Sequence, residues 1–197
     1  MLTVHGDIRS GNCLKVKWLL EWLGRDYRWV EVDIMNGASR GAEFLAINPA
    51  GQVPTLVLED GRPLAQSNAI LMYLGEGTAL VPPDAYDRAR MAEWLFWEQY
   101  SHEPYVAVAR FQRVYLGRAQ TEVDPRLMQR GGAALDRLED ALEGRAWLVG
   151  AAMTLADIAL VAYTRMAADG GFDLEGRPHV RRWIAAVETT LGLETYA

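Results

Sequence analysis

A chain of 197 residues, half of them hydrophobic, carries enough apolar surface for one large or two small folded domains. Its formal net charge of −6, with no local cluster of Lys and Arg, excludes general nucleic-acid binding and docking on an anionic membrane; the most apolar stretch, Leu155 to Met166, is broken by Asp157 and Arg165 and falls short of the roughly 20 residues of a membrane span. The lone cysteine, Cys13, permits no internal disulfide and the stretch from Met1 to Asp7 lacks the pattern of a secretory signal, so a cytoplasmic location is expected.

The first predicted elements alternate. Leu2 to His5 reads as a short strand, Cys13 to Leu23 has helical spacing, and Tyr27 to Val32 alternates like a second strand, which together make a βαβ unit. After the Gly-rich polar stretch from Asn36 to Gly41, the run Val53 to Leu58 predicts a strand, Glu59-Asp60-Gly61 a hairpin turn and Pro63-Leu64-Ala65 the returning strand. A helix follows from Ser67, read as its N-cap, to about Gly75.

Strand signals stop at Thr78 to Asp84, which contains Pro82-Pro83. The expected organisation is a domain over 1–76, a linker over 77–86 and an all-helical domain over 87–197. Within the last, helices are predicted over about 87–117 with a bend at Pro104, and over 125–143, 154–167 and 178–190.

Three segments of the first domain have the chemistry of a site. Asp7 to Val16 hands a strand to a helix, where unpaired N–H groups and the positive end of the helix dipole favour an anion or thiolate. Ser10 supplies a hydroxyl there, and helix N-termini of this kind bring thiol pKa values from ~8.5 into roughly the 3.5–7.5 range. The competing reading is that Ser10 or Asn12 simply caps the helix. Cys13 reads as a small buried hydrophobe or as a nucleophile, and Lys15 as a solvated or a positioning residue.

The second segment, Asn48 to Leu56, is a Pro- and Gly-punctuated loop running into a strand, where Pro54 removes a backbone donor. The third, Gln66-Ser67-Asn68-Ala69-Ile70, opens a helix and offers a carboxylate site, or else an ordinary cap. No His, Cys or Asp cluster has metal-ligand spacing, so no metal is expected.

With these three motifs at these separations, the whole chain resembles the glutathione transferase superfamily, in particular bacterial members with a Ser-Gly-Asn stretch after the first strand. The resemblance implies an α/β plus all-α fold, a thioredoxin-like βαβ-ββα domain followed by a helical one. It implies a cytoplasmic homodimer with a detoxification role, binding glutathione as co-substrate. Gln52 and the cis-proline turn Val53-Pro54 would pair with the cysteinyl part of glutathione, Gln66 and Ser67 would hold its γ-glutamyl end, and Arg40 would face the glycyl carboxylate. Ser10 takes the thiolate-activating position, with Asn12 as the alternative. Thr154-Leu155-Ala156-Asp157 resembles the buried capping motif of the family's second domain, which makes Asp157 structural.

The aromatic helix through Trp94, Trp97 and Tyr100 reads as core or dimer contact, with Tyr105, Arg110 and Phe111 as the expected wall of an electrophile pocket and His102 as a hydrogen-bonded residue. The expected activity is attack by bound glutathione thiolate on a hydrophobic electrophile. Two alternatives stand beside it: glutathione-dependent disulfide or peroxide reduction, and a non-catalytic interaction protein that keeps the fold.

Overall fold

The computed structural model describes residues 1–196. They form two compact units, Met1–Glu76 and Gly77 onward. In the first unit the order is β1 (Leu2–Gly6), α1 (Gly11–Trp22), β2 (Tyr27–Glu31), a 3₁₀ turn at Ala38–Arg40, α2 (Ala42–Ile47), β3 (Thr55–Val57), β4 (Pro63–Ala65) and α3 (Ser67–Gly75). The four strands form one mixed sheet in the order β2-β1-β3-β4. β2 runs parallel to β1, while β3 runs antiparallel to both β1 and β4. This is the thioredoxin-like arrangement.

Side chains alternate along β1, with His5 meeting Phe44 of α2 on the face opposite Val4. Leu2 and Val4 are buried, as are Val16, Leu19 and Leu20 of α1 and Ile70, Leu71 and Leu74 of α3. One helix start differs from expectation. The N-cap of α3 is Gln66 rather than Ser67, which is the first helical residue. Gln66 has φ 70°, the one positive φ at a non-glycine among the described residues, so the chain turns sharply just before the helix and Ser67 enters it already buried.

The second unit is helical: α4 (Ala85–Trp97), α5 (Glu103–Arg110), α6 (Pro125–Ala141), α7 (Leu155–Thr164) and α8 (Pro178–Leu191). The bend expected at Pro104 takes the form of a π-helical turn over Glu98–His102 that passes into α5, with Pro104 in the first turn of α5. Proline cannot donate to the carbonyl four residues back, and the Glu103 N–H reaches Glu98 O, five residues back. Every residue of α7 is buried. At its start Asp157 accepts four hydrogen bonds: from Thr154 N (2.8 Å), Thr154 Oγ1 (3.0 Å), Leu148 N (3.0 Å) and Trp183 Nε1 (2.9 Å). Burial pushes the pKa of this carboxyl up, and the four donors pull it back.

Candidate functional site

The ends of α1 and α3, the turn at 38–40 and the loop before β3 carry the candidate residues. Ser10 is the N-cap of α1, with extended φ −83° and ψ 122°, but its side chain makes no capping hydrogen bond. The hydroxyl instead hydrogen-bonds the sulfur of Cys13, one turn on. Asn12, in the first turn of the same helix, receives a 3.1 Å hydrogen bond on Oδ1 from Ser67 Oγ. Two of the three motifs, 55 residues apart in sequence, therefore touch through their polar side chains.

Cys13 is fully buried, and desolvation pushes its thiol up to about 12 against the help of Ser10 and the Asp7 backbone. Burial favours the protonated thiol, which agrees with Cys13 as a small buried hydrophobe.

Lys15 also departs from the solvated reading. Its side chain is 0% exposed, and Nζ donates to Asn68 Oδ1 at 3.0 Å.

The loop before β3 is built by Asn48, the first residue of the second segment, which sequence reading gave no role of its own. Its Nδ2 donates to Gln52 O (2.8 Å) and Thr55 Oγ1 (3.1 Å), while its Oδ1 accepts from Ala50 N (3.1 Å). An Asn preceding Pro49 is an Asx-turn signal, and this was the clue available in the sequence. The Val53-Pro54 peptide is cis. Arg40, exposed, donates from Nη1 to Ala50 O at 3.1 Å. Gly51, at φ 62°, lets it approach: a Cβ there would lie 2.7 Å from Arg40 Nη1 and 2.9 Å from Ser39 O. Exposed Gln52 and Gln66 meet side chain to side chain, Gln66 Nε2 to Gln52 Oε1 at 3.4 Å.

The structure thus joins Ser67 to Asn12, Gln66 to Gln52, and Arg40 to the loop that carries Gln52, Val53 and Pro54. Exposed amides and a guanidinium share this part of the unit with two helix N-termini, a donor set suited to a small peptide with carboxylate ends. His5, near the end of β1, stands edge-on to Phe44, and burial followed by Arg28 lowers its pKa. It lines a separate hollow of about 480 Å³ with Val30, Phe44 and Ile47, to which Ser10, Asn12 and Ser67 do not contribute.

In the helical unit, the three residues expected at an electrophile pocket have local partners. Arg110 is buried and pairs through Nε with Asp169 Oδ2 at 2.8 Å. Arg130 lies over the Tyr105 ring, and Phe111 stacks on Tyr115. His102 is buried, its Nε2 3.1 Å from Thr164 Oγ1. Among the described residues no group of three or more His, Cys, Asp or Glu is placed to hold a metal ion, and no helix is long and apolar enough to cross a membrane.

Comparison with known proteins adds a family. Residues 9–76 match the glutathione S-transferase N-terminal domain and residues 95–190 the glutathione S-transferase C-terminal domain. The chain is 33% identical to glutathione S-transferase 3 of Zea mays, over 94% of this chain and 88% of that one. It is 31% identical to the disulfide-bond oxidoreductase YfcG of Escherichia coli, over 87% and 83% of the two. The crystal structure of a glutathione S-transferase from Pseudomonas fluorescens superposes with a TM-score of 0.92 at 45% identity, covering 95% of this chain and 94% of that one.

Proposed function

The chain belongs to the glutathione S-transferase family, and on that premise we propose that it is a glutathione transferase that lowers the pKa of the bound thiol and directs the thiolate at a hydrophobic electrophile. The observation that carries this reading is the Ser67–Asn12 hydrogen bond, which ties the proposed γ-glutamyl subsite to the N-terminus of α1 where the thiol would lie. In this scheme the Ser67 N–H and the Ser67 hydroxyl, turned from Asn12, donate to the γ-glutamyl carboxylate beside Gln66, Gln52 and the Val53 backbone hold the cysteinyl part, and Arg40 takes the glycyl carboxylate. Ser10, its hydroxyl turned from Cys13, donates to the glutathione sulfur, with Asn12 as the alternative donor.

The thiol loses its proton to solvent. Its sulfur electron pair then forms the new bond to carbon while the leaving group departs with its own pair. A downward shift of one or two pKa units is worth about 1.4–2.7 kcal/mol, which a hydroxyl bond and a helix N-terminus together supply. Tyr105, Arg110 and Phe111 are proposed for the electrophile side. A cytoplasmic homodimer fits the chemistry and the exposed rings of Phe96 (72%) and Tyr100 (84%) at the end of α4 and the turn after it.

The test is retention on immobilised glutathione followed by turnover of an activated halonitrobenzene, with the ultraviolet absorbance of bound thiolate titrated against pH. Ser10→Ala is expected to raise the bound thiol pKa by one to two units and Asn12→Ala by less; the reverse order would move the activating role to Asn12. Chains that bind glutathione yet reduce a small disulfide instead of turning over the halide would favour the second reading, which the likeness to the Escherichia coli oxidoreductase supports.

A further inference from the structure

Lys15 is the largest charged side chain sealed inside the first unit, and the scheme above gives it no task. It is 0% exposed among apolar neighbours on α1 such as Val16 and Leu19, yet an ammonium is costly to bury and an apolar side chain would fill the same space more favourably. Its placement supplies a reason. Lys15 follows Asn12 by three residues, so the two side chains leave α1 on the same face, and their partners Ser67 and Asn68 are consecutive in the first turn of α3. Two side-chain bonds therefore run side by side from α1 to α3: Ser67 Oγ to Asn12 Oδ1 at 3.1 Å and Lys15 Nζ to Asn68 Oδ1 at 3.0 Å.

We infer that Lys15 is a positioning residue for glutathione: by gripping Asn68 it sets the rotation of the first turn of α3 against α1, and so aims the Ser67 N–H and hydroxyl at the γ-glutamyl carboxylate. This rests on the reading that glutathione occupies the site. When the Ser67 hydroxyl turns from Asn12 to the carboxylate, the Lys15–Asn68 bond is the one of these two that still holds the turn against α1. A carboxylate clamp made of one N–H and one hydroxyl loses its hold when the turn that carries it rotates.

The test measures glutathione affinity by calorimetry, KM and kcat, and Tm on the whole chain and on two variants. K15M, which keeps the length and loses the donor and charge, is expected to raise Kd and KM for glutathione about tenfold while kcat at saturating glutathione stays within about twofold. Its Tm is expected to hold or rise, because the buried ammonium is gone. N68A leaves Lys15 in place and removes its acceptor; the same rise in Kd is expected, which keeps the inference open to test if K15M does not fold. A purely structural Lys15 would lower Tm and leave Kd alone, and that result overturns the inference. Wild-type chain that binds glutathione together with variants of unchanged Kd overturns it by itself, whereas wild-type chain that binds none removes the glutathione reading and this inference with it.

Discussion

Small polar side chains dress the start of α7 in one region of the chain and the starts of α1 and α3 in another, and the two regions use them differently. At the start of α7 in the helical unit, Asp157 gathers four donors and is fully buried. At the starts of α1 and α3 in the first unit, Ser67 donates to Asn12, Asn12 is half-buried, and exposed Gln66, just before Ser67, reaches exposed Gln52. A polar helix end becomes structural when its own protein satisfies it and is sealed off from solvent. It stays available for a ligand where water still reaches the residues around it, as at half-buried Asn12 and exposed Gln66.

The comparison is broken most severely by Asp157→Ala, which strands the Leu148 and Thr154 amides and the Trp183 indole in a dry core. A loss of about 3–5 kcal/mol is expected, read as a lower denaturation midpoint, with no direct effect on glutathione affinity in the fraction that stays folded. A result below about 1 kcal/mol would mean that the knot is solvated and the contrast false. Ser67→Ala acts in the opposite direction. It is expected to weaken glutathione binding by about 1.5–3 kcal/mol, roughly tenfold to a hundredfold, while the denaturation midpoint barely moves.

The smallest effect sharpens the boundary between site and core within α1. Burial pushes the Cys13 thiol up from 9.0 to about 12, so the fold favours its protonated form. The stability this contributes is intact below pH 9.0 and declines as pH rises from there toward about 12, because the unfolded chain releases the proton first. Cys13→Ala should flatten stability against pH in that window, measured by denaturant titration at stepped pH. An iodoacetamide reaction with native chain at neutral pH as fast as with unfolded chain would instead make Cys13 a surface thiol.

Much of the fold was legible from local rules. The alternation at Leu2 to His5 and Tyr27 to Val32, the turn at Asp60-Gly61 and the Asp124-Pro125 helix start all act through near neighbours, and the elements they announce are present. Elements whose form depends on what they meet were not legible. The π-helical turn before Pro104 is one, and the sharp turn at Gln66, which makes Ser67 the first helical residue, is another. The six-residue α2 is too short to show a period.

The site divides in the same way. The sequence by itself singled out Ser10, Asn12, Val53-Pro54 and Gln66-Ser67, because helix starts and proline turns advertise their donors within a few residues. It left Ser10 as cap or donor, Cys13 as core or nucleophile, and Lys15 as solvated or positioning. Only the tertiary structure gave these residues their surroundings, burying Cys13, directing the Ser10 hydroxyl to its sulfur and closing Lys15 onto Asn68 53 residues away. The physical reason is that donor and acceptor types are properties of a residue, whereas burial and partnership belong to pairs brought together by the chain's path.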